Sequence, residues 1–472
     1  MSNEIKHGRE PGFFEKYYLC RSAEKYTTNV SVIGRYNKHI DKVVLSNALR
    51  SLIVKNPEFC CNFFSDEPYE KIKKQNGKPY RLKPLSKIAF QDVVFYEWIE
   101  KDLDDEILDR LDTEYSGINI NEPLWKLIIF ENTASQYLSF SYDHTLWDGK
   151  SGQFFHEELL SEIEQFSKSK DITFRDDLFD YEKDQSALPV LPKSSDKMFD
   201  LYDIDMWYTL KHIVKEIIPT RITNYLTSNS FSDPYTLIDY PFPKEDIQSS
   251  RISTKLRLVH VDASSLNKLV KNCKENGVTL TSYMTTLMTY CLKETVLSNI
   301  GKNKVAKISI PMSGRRYYPD KAQETKFGLY VGAINYNIKL DKITEGNMKT
   351  LSQSLLNNMR IALETQEPFK FCSLLKLINI WDFLGAKVEK NDRDTVAFSN
   401  LGMTNAEKGG WKLIELIFSQ SNGIYTNYSM STISTPEAGL NITFGYSKYL
   451  ENFIERAAFD SFLSLFKEKL IH

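Results

Sequence analysis

One histidine, placed between a predicted strand and a predicted helix, constrains the fold of this chain more than any other feature. Residues 144–149 read His-Thr-Leu-Trp-Asp-Gly. The residues before them, Gln136 to Tyr142, alternate polar and apolar side chains as a strand does, and Gly149 to Phe166 repeat apolar side chains at helical spacing. Because a strand that enters a helix through a short loop is a unit of layered α/β folds, we predict an α/β protein.

The spacing His-x-x-x-Asp-Gly is specific enough to be used as evidence. With 7 His and 20 Gly among 472 residues, composition alone gives about 0.02 matches per chain. A loop at this junction exposes His144, and we expect Gly149 to permit the sharp turn into the helix. Taken alone, the histidine is equally well explained as an ordinary side chain with its hydrogen bonds satisfied. The placement of the motif is what favours a functional role.

The chain is long enough for two domains of similar size. It has 472 residues, 42% of them hydrophobic, and a single core stops growing well below this length. Residues 167–195 are polar and acidic, and residues 227–250 are again loop-like. We therefore expect an N-terminal domain at 1–195 that carries the histidine motif, a crossover segment at 196–250 and a C-terminal domain at 251–472.

Hydrophobic periodicity predicts the main helices and strands of both halves. The predicted helices are 41–55, 149–166, 264–276, 280–297, 345–365 and 451–470. The predicted strands are 59–64, 124–130, 136–142, 251–262, 305–310, 329–337, 396–399, 413–418, 425–433 and 440–444. The order strand, loop, helix at 138–166 recurs at 440–470 without the His, Asp and Gly, which favours a duplicated fold with one degenerate site.

Composition and charge argue against several classes of protein. A formal net charge of −2 gives no electrostatic footprint for nucleic acid. The charged N-terminus has no apolar signal segment, and no stretch reaches the ~20 apolar residues of a membrane-spanning helix. The six scattered cysteines contain no Cys-x-x-Cys pair and the histidines have no metal-ligand spacing, so we expect free buried thiols and no metal.

His144 has the chemistry of a general base. Moving an acyl group from a thioester to an alcohol or amine requires a base for the nucleophile's proton, donors that face the oxyanion, and exclusion of water. A free imidazole, with a pKa of about 6.5, suits the first role. Asp148 is either a dyad partner of His144 or a brace that pairs with an arginine of the other half, and we favour the brace because Asp148 lies in a turn.

Four segments, taken in order, give the chain a family resemblance. They are His144–Gly149, the strand and arginine at Ile310–Arg315, the glycine-containing strand at Phe327–Gly332, and the Ser-Asn-x-Gly stretch within Phe398–Gly402. On these segments the chain resembles the fungal alcohol O-acetyltransferase family. That family lies within the wider set of chloramphenicol acetyltransferase, plant BAHD acyltransferases and peptide-synthetase condensation domains. The resemblance covers nearly the whole chain.

The resemblance implies two tandem chloramphenicol-acetyltransferase-like domains, each a mixed sheet flanked by helices, with an active-site tunnel between them. It also implies acetyl-CoA as the co-substrate, an alcohol as the acceptor, and no metal. The implied roles fall on the general base His144, on the structural residues Asp148, Gly149 and Arg315, and on Ser399 and Asn400 near the acyl group or oxyanion. The plant-type Asp-Phe-Gly-Trp-Gly motif is absent, which argues against plant-type substrates.

Several alternatives stay open at this point. The same base would serve an N-acetyltransferase acting on the amine of an amphipathic amino alcohol. A non-catalytic relative that binds an acyl-CoA or a partner protein is the third possibility, against which the intact motif argues. We expect a cytoplasmic monomer whose partners are acetyl-CoA and a small alcohol or amine, with no nucleic acid. Peripheral contact with the endoplasmic reticulum or lipid droplets stays open, for instance through the aromatic-rich stretch at 198–226.

Overall fold

The chain forms two mixed β-sheets flanked by helices, so the predicted α/β class is confirmed. The computed structural model describes residues 8–26, 29–114, 116–217, 235–238, 240, 253–390 and 393–471. All six cysteines are free thiols, and all are buried except Cys372, which is half-buried. Within the described residues, no group of His, Cys, Asp and Glu side chains could hold a metal ion.

Strands and helices alternate through the first half of the chain. Its helices are α1 (Phe13–Ala23), α2 (Lys42–Lys55), α3 (Tyr69–Lys74), α4 (Phe90–Val93), α5 (Asp105–Leu111), α6 (Gly149–Ser167), α7 (Tyr181–Asp184), α8 (Ser195–Met198) and α9 (Met206–Ile217). Its strands are β1 (Asn29–Tyr36), β2 (Cys61–Phe64), β3 (Arg81–Pro84), β4 (Lys87–Ala89), β5 (Val94–Trp98), β6 (Trp125–Glu131), β7 (Gln136–Asp143) and β8 (Asp177–Asp180).

The second half continues with longer elements. Its helices are α10 (Ala263–Glu275), α11 (Leu280–Glu294), α12 (Met348–Glu364), α13 (Glu367–Ser373), α14 (Ile380–Glu389) and α15 (Arg456–Ile471). Its strands are β9 (Thr236–Leu237), β10 (Thr254–Val261), β11 (Lys304–Ser313), β12 (Val331–Lys339), β13 (Asp394–Met403), β14 (Glu407–Lys408), β15 (Trp411–Gln420), β16 (Thr426–Thr435) and β17 (Gly439–Ser447).

Side-chain caps fix where several helices begin. The Asp41 carboxylate accepts hydrogen bonds from the first free backbone N–H groups of α2, as predicted. Asp148 does the same for α6, with its carboxylate 3.0 Å from the Ser151 nitrogen. The helix α10 is capped by Asp262, so the expectation that Ser264 starts it is wrong. Asp262 is the residue before the helix, so its side chain can accept a hydrogen bond from a free N–H group of the first turn.

The first sheet is completed by strands from the far end of the chain. Its order is β14–β15–β1–β7–β6–β5. The strand β1 is antiparallel to both neighbours, and Val30 stands opposite Gln420 on β15 and Tyr142 on β7. The helices α2 and α6 pack together over this sheet. The sheet that leads into His144 therefore contains strands from both halves of the chain. The division into domains at 1–195 and 251–472, with a crossover segment at 196–250, stays a prediction.

The second sheet has the order β10–β17–β16–β13–β11–β12, with β9 beside β11. The strands β11, β13 and β16 are parallel to one another, and the remaining long strands pair antiparallel. The helices α11 and α15 pack together and, with α10, cover one face. The stack of Tyr446 on Phe459, with ring centroids 3.8 Å apart, joins β17 to α15.

Two predicted segments differ from the structure. The last helix begins at Arg456, not at Glu451, because residues Lys448–Asn452 form a tighter 3₁₀ turn first. The predicted stretch 198–226 contains α9, on which Met206 and Trp207 are 77% and 74% exposed. Residues 218–226 of that stretch, and most of 227–250, lie outside the described residues. No described helix is long and apolar enough to cross a membrane.

Candidate active site

His144 follows the last residue of β7 and stands five residues before the first residue of α6. The strand β7 is buried along its whole length, so the position of its last residue is fixed by the sheet. Asp143, the last residue of β7, accepts a hydrogen bond from the backbone nitrogen of Thr145 at 2.8 Å and one from the Ser22 hydroxyl at 2.5 Å. These contacts hold both sides of the histidine while leaving its side chain uninvolved.

The imidazole of His144 is held mainly by ring stacking. The Tyr18 ring of α1 lies parallel to it, with centroids 4.1 Å apart and an angle of 7° between planes. Among the described residues, Nδ1 is buried without a hydrogen-bond partner on another residue. Burial, and after it the positive charge of Arg21, lower the pKa of His144 to about 4, while its own backbone carbonyl acts in the opposite direction. The ring is therefore neutral at physiological pH.

The structure places Asp148 directly against Arg315, a residue of the other half of the chain. The Arg315 guanidinium donates to the Asp148 carboxylate at 2.6 Å, and both side chains are almost fully buried. The remaining acceptor positions of the carboxylate are taken by the backbone nitrogens of Tyr330, at 3.0 Å, and Ser151. Burial raises the pKa of Asp148, but the charge and hydrogen bond of Arg315 outweigh this and leave it below its ordinary value.

Gly328 extends the same network through its carbonyl group. This oxygen accepts hydrogen bonds from the backbone nitrogen of Asp148 at 3.2 Å, from the Ser151 hydroxyl and from Arg315. Gly328 has a φ of +140°, a conformation that residues with a side chain rarely adopt. A Cβ atom there would also lie 2.7 Å from the Tyr330 ring. The glycine is therefore required by the backbone geometry of the site.

The start of α6 touches the second sheet through Leu401. A Cβ atom on Gly149 would lie 3.0 Å from the Leu401 side chain and 3.1 Å from the Phe418 ring. The Lys150 ammonium donates to the Leu401 carbonyl at 2.5 Å. Gly149 is the first residue of α6 and does not have a positive φ. The expectation that it permits a sharp turn is wrong, and the glycine is needed because the two sheets approach closely there.

The side chains of Ser399 and Asn400 each make hydrogen bonds within the protein. The Ser399 hydroxyl accepts a hydrogen bond from Gln420 of β15 at 2.9 Å, so its own proton remains available to a ligand. The Asn400 amide donates to Thr281 of α11, and its oxygen accepts from the Gly402 nitrogen at 2.7 Å. Within the described residues, the Asn400 amide therefore keeps one of its two N–H groups, and the Ser399 hydroxyl keeps its proton, for a ligand.

Comparison with known protein families identifies the family of the chain that carries this site. Residues 10–470 match the family model described as alcohol acetyltransferase. The chain belongs to this family. The match includes both sheets and every residue placed above, from Tyr18 on α1 to Gln420 on β15. This alcohol acetyltransferase family member is therefore an acyltransferase enzyme.

Curated relatives of the acetyltransferase differ in the acceptor that their names state. The chain is 23% identical to N-acetyltransferase SLI1 of Saccharomyces cerevisiae, over 93% of this chain and 96% of that protein. It is 22% identical to alcohol O-acetyltransferase 2 of the same organism, over 98% of this chain and 95% of that protein. The two relatives are about equally similar to this chain.

Solved structures share the fold over nearly the whole acetyltransferase. The TRI3 trichothecene 15-O-acetyltransferase of Fusarium sporotrichioides superposes with a TM-score of 0.63 at 12% identity, covering 98% of this chain and 94% of that one. The condensation domain of Monacolin K polyketide synthase MokA gives a TM-score of 0.61 at 12% identity, covering 99% and 98%. At these identities the likeness concerns the fold alone, and it agrees with the fold expected from the sequence.

Several side chains of the site could not be foreseen from the sequence. Tyr18 and Arg21 lie on α1, whose apolar residues do not follow one helical stripe and gave no periodic signal. Lys150 and Gln420 make their contacts only after the two halves of the chain come together. Gly328 was taken for a strand glycine. Its position two residues before Tyr330 was the available signal.

Replacement of Gly149 by alanine tests the close approach of the two sheets. The added methyl would press on Leu401 and Phe418, so we expect the free energy of unfolding to fall by about 1–2 kcal/mol. Chemical denaturation of the purified variant measures this. Gly385→Ala on α14 is the matched control, because no atom lies within 4 Å of its Cβ position, and a gain of about 0.5–1 kcal/mol is expected there. Equal changes at both positions would contradict the packing argument.

Proposed function

We propose that the protein transfers an acetyl group from acetyl-CoA to the hydroxyl of a small alcohol, with His144 as the general base. The observation that carries the proposal is the state of His144 itself. Its ring is neutral, and among the described residues neither ring nitrogen bonds to another side chain. A neutral imidazole has one ring nitrogen with a free lone pair, which can accept the proton of the acceptor hydroxyl.

The base would act by accepting the proton of the acceptor hydroxyl as its oxygen attacks the thioester carbonyl. The resulting tetrahedral oxyanion needs a donor, and the free proton of the Ser399 hydroxyl is the candidate. Collapse of this intermediate expels the coenzyme A thiolate, which takes the proton back from His144. Asp148 and Arg315 keep the loop in shape and take no part in the proton transfer, because their charges neutralise each other.

A second acceptor class is favoured by one specific observation. A relative that covers nearly the whole chain is named an N-acetyltransferase, and it is as similar as the alcohol O-acetyltransferase. The same geometry would serve the amine of an amphipathic amino alcohol. A non-catalytic relative is disfavoured, because a buried imidazole nitrogen with no hydrogen-bond partner among the described residues would have no use in a degenerate site.

Thiol release from acetyl-CoA by the purified protein tests the function and separates the acceptors. We expect release that depends on the acceptor when short alcohols, long-chain alcohols and amphipathic amines are supplied. For an amine, the rate should rise with pH because only the neutral amine attacks, whereas for an alcohol it should be flatter. Binding of acetyl-CoA without release for any acceptor would contradict the proposal and favour the non-catalytic alternative.

A further inference from the structure

The helix α1 reaches the candidate active site through side chains that the proposed chemistry does not yet use. Tyr18 stacks on the His144 ring at 4.1 Å. One helical turn further on, the Arg21 guanidinium lies 4.9 Å from the centre of the Tyr18 ring and 4.0 Å from the centre of the Tyr425 ring. Tyr425 precedes β16. These side chains therefore link the start of the chain to both sheets at the histidine.

We propose that Tyr18 and Arg21 are positioning residues for His144: the tyrosine ring fixes the imidazole plane, and the buried guanidinium that lies over the tyrosine ring places a positive charge next to this stack. The inference rests on the proposed role of His144 as the base. A base that hydrogen-bonds to no side chain needs another means of orientation, and a parallel ring at 4.1 Å supplies one. A misplacement of about 1 Å can cost about 100-fold in rate, so this restraint affects turnover directly.

The helix is anchored at both ends, so the stack is held in place. At its start, the Glu15 carboxylate accepts from the Gly12 backbone nitrogen and pairs with Arg9 at 2.6 Å. At its end, Ser22 donates to Asp143, the last residue of the strand that carries the histidine. Because α1 and β7 are tied together next to the ring pair, movement of α1 would move the imidazole.

The electrostatic role depends on which charges face the imidazole. From α1 these are Arg21 and the neutral Tyr18, and from the motif loop it is Asp148. The charge of Asp148 is balanced by Arg315 at 2.6 Å. Burial disfavours the charge of Arg21, but interactions with Tyr425, Tyr17, Tyr18 and Asp143 outweigh it, and the pKa of Arg21 is raised. A fixed positive charge thus opposes protonation of the imidazole.

Replacement of Arg21 by glutamine tests the electrostatic role. The pKa of His144 should rise from about 4 toward its ordinary value, so the acid limb of kcat/KM against pH should move to higher pH. Arg21→Lys, which keeps the charge, should restore the limb. Arg9→Gln is the matched control, because it loosens the start of α1 but keeps the charge beside His144. An acid limb that is unchanged in Arg21→Gln would overturn the proposal.

A second readout does not require any acetyl transfer. Diethyl pyrocarbonate modifies only the neutral imidazole, and mass spectrometry can follow His144 separately from the other histidines. We expect wild type and Arg21→Lys to react at about pH 5.5, and Arg21→Gln to react more slowly there and to need a higher pH for half-maximal reaction. Slower modification of His144 in Arg21→Gln, in a protein that shows no acceptor-dependent thiol release, would support the inference and contradict the proposed function. Equal reactivity of all three proteins at that pH would remove the inference alone.

Replacement of Tyr18 tests the orienting role and does not alter charge. Tyr18→Leu should lower kcat about 10-fold and raise KM much less, because the imidazole loses a parallel surface. Tyr18→Phe keeps the ring and should recover most of this loss. Should Arg21→Gln fail to fold, the difference between the two Tyr18 variants still decides the orienting role. Equal kcat in Tyr18→Leu and Tyr18→Phe, with both folded, would contradict it.

Discussion

Replacement of His144 by alanine is expected to lower acetyl transfer about 10²–10⁴-fold, the usual contribution of a general base. The fold should remain intact, because among the described residues the imidazole makes no hydrogen bond to another side chain and is held by one stacked ring. Acceptor-dependent thiol release gives the rate, and thermal unfolding gives the stability. A variant that retains the wild-type rate would remove His144 from the mechanism.

His156 provides the matched control for this experiment. It is also a buried, neutral histidine, with a pKa lowered to about 4 by burial. Unlike His144, it hydrogen-bonds through both ring nitrogens, to the Val32 carbonyl at 2.8 Å and to the Tyr36 hydroxyl at 3.1 Å. His156→Ala should therefore reduce stability far more than His144→Ala, because it leaves a cavity and unpaired polar groups beneath β1.

Breaking the pair between Asp148 and Arg315 is expected to be the most damaging change for stability. Removing one partner leaves a buried charge without compensation, which typically costs about 3–5 kcal/mol. Asp148→Asn should therefore lower the melting temperature and the activity together, as a brace does. Loss of activity at unchanged stability would instead favour a dyad with His144.

A double-mutant cycle with Asp148→Asn and Arg315→Gln isolates the pair itself. The two changes should be non-additive, because the second removes a charge that the first has left unpaired. Additive effects in denaturant unfolding would refute the pairing. Lys71 and Glu67 form the control pair, since their side chains are 49% and 41% exposed and such pairs contribute about 0–1 kcal/mol.

The part of the site that could be predicted from the sequence is the part that is local. The motif at His144 signals its own strand and helix, because both periodicities are written within thirty or so residues of it. Asp148 needed an arginine from the other half, and only the family resemblance pointed to Arg315. Residues that act through distant contacts carry no local signal: Tyr18 lies on a helix without a clear apolar stripe, and Gln420 reads as the end of any buried strand.

The fold could likewise be predicted where its sequence signals are local. The helix at 41–55 and the strands on either side of the turn at 131–135 were predicted within a few residues, because Asp41 and the alternating side chains define them. The pairing of β15 with β1 could not be predicted, because any strand with one buried face fits an open edge. The contact between the Asn400 amide and Thr281 could not be predicted for a similar reason, since Thr281 lies on a different element.

The strand β15 makes the two halves inseparable. A fragment that ended before residue 407 would leave β1 as an open edge, with the backbone N–H and C=O groups that face β15 unpaired along Val30 to Tyr36. Such edges recruit other chains and aggregate. During synthesis, the sheet beside His144 must also wait for residues 407–420, which leave the ribosome long after β1 and β7. Any attempt to shuffle acceptor specificity by exchanging halves between relatives would therefore have to move β14 and β15 with the N-terminal half.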